Sequence, residues 1–317
     1  MPERDKDVYQ QFAQMYDEIH KRIVGEEETI RDIIIAIFGG GHVLIESVPG
    51  MGKTMLAKTI SETLDCDFKR IQCTADLRPT DIIGKMAFDE AKKKYVLSKG
   101  PIFTNILLID EINRAPPKTQ SALLEAMAEK NVTIGGESYK VTEPFIVLAT
   151  ENPVEQEGTF PLPEAQKDRF LFKSVIKYLP MEEEIAIVKS KAREEKINKI
   201  FNPPEILIIR EEIAKTVSIS DAILEYVVKI VDATRERREV ATGASPRASI
   251  AFMTATKTKA FLEGRNHVTA KDIKEMALPI LRHRLILNPD SADFGVTPDD
   301  VITKVLERIE APAEKNV

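Results

Sequence analysis

One stretch constrains this chain more than any other: a short apolar run, a glycine-rich loop and a helical segment in direct succession. Residues 43–45 are Val-Leu-Ile, residues 46–54 are Glu-Ser-Val-Pro-Gly-Met-Gly-Lys-Thr, and residues 55–60 have a helical pattern. Glycines allow the loop to close around an anion, and the backbone amides at the helix N-terminus point toward negative charge. A loop in this strand–loop–helix context is therefore predicted to bind phosphate groups.

The loop offers side chains as well as amides. Lys53 would neutralise the β and γ phosphates of a nucleoside triphosphate, and Thr54 would offer its hydroxyl to Mg²⁺. Ser47 stands where the usual pattern has glycine. If the backbone needs a positive φ there, serine strains it by roughly 1–2 kcal/mol; if φ is negative, nothing is lost. The predicted nucleotide contacts in the loop are Pro49, Gly50, Met51, Gly52, Lys53, Thr54 and Met55.

A second apolar run ends in two carboxylates. Residues 106–109 are Ile-Leu-Leu-Ile, and Asp110 and Glu111 follow them. Four consecutive apolar residues predict a strand that is buried on both faces. At its end Asp110 could hold the Mg²⁺ shell, directly or through water, and Glu111 could act as general base on a water molecule. The competing interpretation is a strand that simply ends in a polar turn.

A third apolar run, residues 145–149, leads to Asn152 and Pro153. An asparagine at the end of a neighbouring strand could hydrogen-bond both the attacking water and the γ-phosphate. Asn-Pro is also a good turn sequence in its own right. The position of Asn152 alone therefore supports either interpretation.

Five segments of the chain, in order, resemble one family. They are Gly-Met-Gly-Lys-Thr at 50–54, Asp-Glu-Ile-Asn-Arg-Ala-Pro-Pro-Lys-Thr-Gln at 110–120, Ala-Thr-Glu-Asn-Pro at 149–153, Glu-Ala-Gln-Lys-Asp-Arg-Phe at 164–170 and Gly-Ala-Ser-Pro-Arg at 243–247. Over nearly its whole length the chain resembles the MoxR branch of the AAA+ ATPases. The second segment is much more specific than the phosphate loop, because it separates this branch from most other AAA+ proteins.

The resemblance implies a role for each matching residue. Asp110 and Glu111 take the Walker B roles of metal shell and water activation, and Asn152 resembles the sensor 1 residue. Arg169 resembles the arginine finger, which acts on ATP held by the adjacent subunit. Arg247 resembles the sensor 2 arginine, which reaches the phosphates from the lid.

A further segment, Ile23-Val24-Gly25, resembles the part of the family that packs on adenine, so Val24 and Gly25 are predicted nucleotide contacts. The cofactors that the resemblance implies are ATP and Mg²⁺. In place of the family's first loop glycine the chain has Ser47, which leaves the backbone path of the loop open.

Each arginine also has a simpler interpretation. Arg169 could form a surface ion pair with its neighbour Asp168, and Arg247 could be solvated. Ser245 suits a helix N-cap and Pro246 the first helical position, so that Arg247 projects from the first turn. A cation there opposes the helix dipole. It therefore favours a nearby anion, which bound phosphate would supply.

The order of elements predicts an α/β fold: a P-loop NTPase core of the AAA+ type, with a parallel sheet flanked by helices, and an all-helical C-terminal lid. We place the core at residues 1–180 and the lid at 181–317. Hairpins are predicted at 83–101 and at 132–141, around Gly135-Gly136. They either touch a substrate or are exposed without a partner. Helices are predicted over 8–23, 26–38, 181–196, 210–216, 221–237, 246–263, 270–284 and 299–309.

Composition and charge limit the partners and the cellular compartment expected for this chain. The 317 residues carry a formal net charge of −6, which is not the footprint of a nucleic-acid-binding surface. The longest apolar run, residues 33–38, is too short to span a membrane. The first residues lack the apolar stretch of a signal peptide, and the two cysteines, Cys66 and Cys73, fit a reducing compartment. We therefore expect a cytoplasmic protein without membrane insertion or a structural metal site.

These features predict a ring-forming, Mg²⁺-dependent ATPase. The resemblance implies a homo-oligomer, expected to be hexameric, that remodels protein complexes in a chaperone-like way with a partner containing a von Willebrand A domain. One alternative is a nucleic-acid-dependent motor, which the residues Lys92-Lys93-Lys94 favour and the net acidity disfavours. Another is a scaffold that binds ATP and barely turns it over. The Asp110-Glu111 pair argues against a scaffold, and Ser47 favours it slightly.

Overall fold

The computed structural model describes residues 3–48, 50–153, 158–190 and 195–312, without the side chains of residues 3–7 and 190. Its strands are β1 (Val43–Glu46), β2 (Phe68–Gln72), β3 (Gly84–Asp89), β4 (Lys94–Lys99), β5 (Ile106–Asp110), β6 (Asn131–Ile134), β7 (Glu137–Lys140), β8 (Ile146–Glu151), β9 (Phe172–Val175), β10 (Val240–Thr242) and β11 (Ile286–Leu287). Its helices are α1 (Glu3–His20), α2 (Glu27–Gly39), α3 (Lys53–Thr63), α4 (Pro79–Ile83), α5 (Pro117–Glu129), α6 (Glu164–Lys167), α7 (Met181–Ser190), α8 (Pro203–Thr216), α9 (Asp221–Ala233), α10 (Pro246–Leu262), α11 (Ala270–Leu281), α12 (Pro289–Asp293) and α13 (Pro298–Arg308).

The predicted parallel sheet is confirmed. Five strands lie in the order β2-β5-β8-β1-β9, and every neighbouring pair is parallel. All of β5 is buried. Ile106 and Leu108 point into one apolar cluster, whereas Leu107 and Ile109 point into the other. Because each face of the sheet is covered, the central strands are apolar runs rather than alternating ones.

Both predicted hairpins are confirmed. β3 and β4 pair antiparallel from Gly84 to Lys99, and β6 and β7 pair around Gly135 and Gly136. Both of these glycines have positive φ, which the tight turn requires. The first hairpin exposes an aromatic pair near its tip, Phe88 and Tyr95, whose ring centroids are 5.5 Å apart.

The predicted helical lid is confirmed with one addition. The strands β10 and β11 form a short antiparallel pair, although no strand was predicted after Pro180. These strands have three and two residues, too few for a period-2 pattern to be visible in the sequence. The predicted cap at Ser245 is confirmed, and Ser220 and Thr269 cap α9 and α11 in the same way, because each side chain accepts a backbone N–H of its helix.

Several predicted helix bounds were wrong. The helix predicted over 181–196 ends at Ser190, residues 191–194 lie outside the described part, and Lys196 is not helical. The helix predicted from Arg210 begins at Pro203, where Asn202 caps it by accepting from the backbone N–H of Glu205. Helices predicted to reach 237 and 284 end at Ala233 and Leu281. Periodicity identified the apolar faces, whereas local turns and caps determine the ends.

One apolar cluster joins the sheet to the lid. One face of α1 is buried at Phe12, Met15 and Ile19. α2 packs between this face and the lid helices α8 and α10, while α11 packs against β9. The lid is therefore held against the sheet through α2 and β9 rather than through a separate core.

Candidate functional site

The carboxyl ends of three neighbouring strands carry the predicted chemistry. The phosphate loop follows β1, Asp110 is the last residue of β5, and Asn152 follows β8. In the sheet these strands are adjacent in the order β5-β8-β1. Ligands of open α/β sheets bind at this edge. The tertiary structure thus brings together Lys53, Asp110, Glu111 and Asn152, which the sequence spreads over a hundred residues.

The loop forms an open cradle at the N-terminus of α3. Gly50 and Gly52 have φ of 87° and 71°, and nothing lies within 4 Å of where a Cβ would stand on either residue. Gly52 is the N-cap, and no side chain caps the helix. The first amides of α3 therefore remain available to an anion. Of the other predicted contacts, Met51 and Thr54 are half-buried, Met55 is exposed, and Pro49 lies outside the described residues.

Lys53 is held by the loop itself. Its Nζ donates to Ser47 Oγ at 2.6 Å and to the carbonyl of Val48 at 3.2 Å. Burial lowers the pKa of Lys53, while the negative charges of Asp110 and Glu111 oppose that shift. An ammonium has three donor positions. The two loop acceptors orient it and leave one donor for a ligand.

The backbone conformation of Ser47 shows whether serine strains the loop. Ser47 is buried and is not among the described residues with positive φ, so serine causes no strain there. Its amide donates to the carbonyl of Glu151 at 3.1 Å, which ties the start of the loop to the end of β8. The side chain adds the hydroxyl that Lys53 contacts, which a glycine would lack.

Asp110 is buried and already engaged. Its Oδ2 accepts from Arg70 Nε at 2.5 Å, and its Oδ1 accepts from Thr150 Oγ1 at 3.4 Å. Sequence reasoning missed Arg70 because nothing in the sequence shows that β2 pairs with β5. In that pairing Gln72 lies opposite Asp110, so that Arg70, two residues earlier, points to the same face of the sheet.

The carboxylate of Glu111 has a different partner from that of Asp110. The Glu111 backbone is left-handed, with φ of 57°, and its amide donates to Thr150 Oγ1 at 2.9 Å. The carboxylate accepts from Arg114 Nη1 at 3.0 Å. Asn152 is buried, and it lines a cavity of about 390 Å³ together with Asn113, Glu151 and Lys167.

Both predicted arginines lie next to Asp168, Arg169 as its neighbour in the chain and Arg247 with its Nη1 3.7 Å from Asp168 Oδ2. Arg169 is exposed, and its Nη1 donates to the carbonyl of Leu124 at 3.4 Å. The ion pair considered between Arg169 and Asp168 is not formed, because Asp168 pairs with Arg284 and Arg247 of the lid. Within the described residues, no hydrogen bond or ion pair joins Arg169 or Arg247 to the phosphate loop.

The segment predicted to pack on adenine lies between α1 and α2. Val24 is half-buried and Gly25 has φ of 71°. A side chain at Gly25 would clash with the Glu183 carboxylate and crowd Leu179. The segment therefore touches α7 at the start of the lid, and only glycine permits that approach.

The residues present fit a nucleotide with Mg²⁺. The open amides and Lys53 suit phosphate, and the hydroxyl of Thr54 with the carboxylate of Asp110 are oxygen ligands of the kind that Mg²⁺ takes beside phosphates. The clearance around Gly50 and Gly52 leaves room for close backbone approach.

No described helix is long and apolar enough to cross a membrane.

Comparison with known proteins agrees with this geometry. A model described as "ATPase family associated with various cellular activities (AAA)" matches residues 42–172, and one described as "AAA lid domain" matches residues 232–305. A crystal structure of a putative ATPase from Cytophaga hutchinsonii superposes with a TM-score of 0.91 and 41% identity, covering 98% of each chain.

Relatives with assigned names show which branch of the AAA+ ATPases the chain resembles. Chaperone MoxR1 of Mycobacterium tuberculosis is 40% identical over 93% of this chain and 81% of its own length. Protein MoxR of Methylorubrum extorquens is 30% identical over 95% of both chains. Both relatives extend across the core and the lid. The chain belongs to the MoxR family of AAA+ ATPases.

Proposed function

We propose that this protein is a ring-forming, Mg²⁺-dependent ATP hydrolase. The observation that carries the proposal is the placement of Lys53, at the start of α3 after β1, and of Asp110 and Glu111, at the end of β5, at the same edge of the sheet. One group suits phosphate, and the other two suit a metal shell and a general base. Membership of an AAA+ ATPase family implies ATP binding, and hydrolysis is the reaction that this arrangement supports best.

In this proposal each side chain has a separate task. Lys53 and the α3 amides bind the phosphates, Thr54 and Asp110 hold Mg²⁺, and Glu111 deprotonates the attacking water. When bound, Mg²⁺ supplies positive charge beside the phosphate oxygens. Arg114 contacts Oε2 of Glu111, and the carboxylate is 25% exposed, so a water can reach its other oxygen. Asn152 orients the water from the end of β8.

Two further tasks belong to the arginines and the adenine segment. Arg247 stabilises charge on the phosphates from the lid, and Val24 and Gly25 contact the base. Arg169 acts on the nucleotide of a neighbouring subunit. Its exposure supports this role, because a residue that completes another subunit's site must reach beyond its own surface.

The assembly and setting are part of the same proposal. We infer a homo-oligomer, with a hexamer expected from the family resemblance, that remodels protein complexes in the cytoplasm. A partner with a von Willebrand A domain rests on that resemblance alone. We divide the chain at residue 180 into core and lid. The positions of the two family models, which end at 172 and begin at 232, support this division.

Dependence of turnover on protein concentration tests the proposal most directly. ATP hydrolysis per subunit, measured with Mg²⁺ across a dilution series, is expected to rise and saturate as subunits assemble. An arginine finger contributes about 10³–10⁵ in rate, so a monomer should be nearly inactive. A flat rate down to concentrations where sizing shows monomers would remove Arg169 from its role. Absence of hydrolysis at every concentration would contradict the hydrolase.

A mixing experiment separates the two halves of the site. Arg169→Ala and Lys53→Ala subunits are each expected to be inactive, and a mixture is expected to regain activity at interfaces where intact halves meet. Each variant mixed with itself is the control. No recovery in a verified mixed ring would show that Arg169 does not act in trans. Salt-sensitive stimulation by DNA or RNA would instead favour a nucleic-acid motor.

A further inference from the structure

Asp168 is the carboxylate at which core and lid meet. It lies at the C-cap of α6, between Lys167, which lines the cavity, and Arg169. The three side-chain partners described for it all come from the lid: Ser245, Arg247 and Arg284. The side chain is 14% exposed, so its charge depends on these partners rather than on water.

One carboxylate oxygen of Asp168 contacts the buried arginine of the lid, Arg284. Its Oδ1 accepts from Arg284 Nε at 2.7 Å, and the same guanidinium donates to the carbonyls of Phe170, Leu171 and Ile280. Burial lowers the pKa of Arg284, and the charge of Asp168 opposes that shift. Arg284 is 3% exposed, so this part of the contact holds the lid in place and has little room to exchange partners.

The other carboxylate oxygen of Asp168 contacts lid residues on the more exposed side, Ser245 and Arg247. Its Oδ2 accepts from Ser245 Oγ at 2.9 Å and lies 3.7 Å from Arg247 Nη1. Ser245 Oγ in turn accepts the backbone N–H of Arg247 at 3.2 Å. The Arg247 side chain is 61% exposed, so its contact with Asp168 is long and solvated. A stronger anion can therefore take the guanidinium from Asp168 while Ser245 keeps the backbone in place.

We propose that Asp168 is a positioning residue that holds Arg247 in a waiting position and competes with nucleotide phosphate for its guanidinium. The inference rests on the proposed contact between Arg247 and phosphate. When phosphate takes Arg247, Asp168 loses a cationic partner but keeps Arg284. The segment that carries Arg169 thus responds to whether Arg247 is engaged. Core, lid and neighbour-facing arginine are coupled through one carboxylate.

The test is a double-mutant cycle on ATP affinity. Asp168→Asn keeps an oxygen for Arg284 and places an amide, without negative charge, toward Arg247. Kd for ATP is measured by calorimetry in an otherwise Glu111→Gln protein, which prevents hydrolysis. Because an exposed ion pair is weak, we expect Asp168→Asn to tighten ATP binding by about two- to fivefold. In an Arg247→Ala background it should have no effect.

Asp299→Asn is the matched control. Asp299 also holds a lid arginine, with Arg282 Nη2 at 2.9 Å, and has no described contact with Arg247. Its Kd for ATP should be unchanged. If Asp168→Asn unfolds the protein, the pair Asp168→Asn with Arg284→Gln removes both buried charges together and is tested in its place.

Three outcomes would overturn the inference and differ in what else they overturn. Equal tightening with and without Arg247 would mean that Asp168 acts only through its general charge. Weaker binding in both backgrounds would mean a purely structural role. If Arg247→Ala itself leaves ATP affinity unchanged, then the phosphate role of Arg247 fails too. Only a failure of the unmodified chain to bind ATP would contradict the proposed function as a whole.

Discussion

The phosphate loop and the contact between core and lid both hold cations, but in opposite ways. Lys53 is half-buried, and its described hydrogen bonds go to one hydroxyl and one carbonyl of its own loop. Arg284 is 3% exposed and donates to the carboxylate of Asp168 and to several carbonyls from α11 and from the segment between α6 and β9. The first cation has a donor to spare, whereas the second is fully used.

The difference shows that this fold surrounds a ligand-binding cation and a cation that joins core and lid with different kinds of partner. Lys53, which must meet a ligand, is kept with neutral, local partners that cost little to rearrange. A charge that joins two parts of the chain is buried with a full complement of acceptors, because leaving it unpaired would be costly. Asp110 lies between these extremes, since Arg70 neutralises it from a half-exposed position where the arginine can move.

The largest effect expected on the loop side is on catalysis. Glu111→Gln removes the proposed base but keeps its shape, so turnover should fall by about 10²–10⁴, while ATP binding and thermal unfolding stay unchanged. Steady-state hydrolysis and calorimetric binding measure the two quantities separately. Glu125→Gln, an exposed carboxamide exchange on α5, is the control and should behave like the parent. Near-normal turnover in Glu111→Gln would exclude Glu111 as the base.

The largest effect expected on the lid side is on stability. Arg284→Met leaves Asp168 and several carbonyls without their donor, which should cost about 3–5 kcal/mol of unfolding free energy. Denaturant unfolding measures it. Arg282→Met is the matched comparison, because its partner Asp299 is 45% exposed and the loss should be smaller. Equal losses for both arginines would contradict the contrast in burial drawn above.

The smallest effect should come from Ser47. Ser47→Ala removes the hydroxyl that orients Lys53, so ATP should bind more weakly by about two- to tenfold, the value of one ordinary hydrogen bond. Adenosine, which lacks phosphates, should bind as before and serves as the control ligand. Ser47→Thr should restore ATP affinity. Tighter ATP binding in Ser47→Ala would mean that the serine competes with phosphate for Lys53.

Much of the fold could be read from local pattern. Apolar runs such as residues 106–109 predict buried parallel strands, and Gly135-Gly136 predicts a hairpin, because both signals depend on neighbouring residues. Helix ends were predicted less well. Asn202 caps α8 eight residues before the predicted start, and the strand pair β10–β11 leaves no periodic trace. Element ends depend on a few local hydrogen bonds that many sequences can make.

The sequence by itself determined the loop, the Asp110-Glu111 pair and the order of the elements, since these follow from residue type and spacing along a strand. Only the tertiary structure decided the partners: Ser47 for Lys53, Arg70 for Asp110, and two lid arginines for Asp168 rather than the adjacent Arg169. Lys53 and Ser47 lie six residues apart in one loop, but Asp168 and Arg284 are separated by more than a hundred. Charged groups pair with whatever packing brings within a few ångströms, and packing between distant segments has no signal in the local sequence.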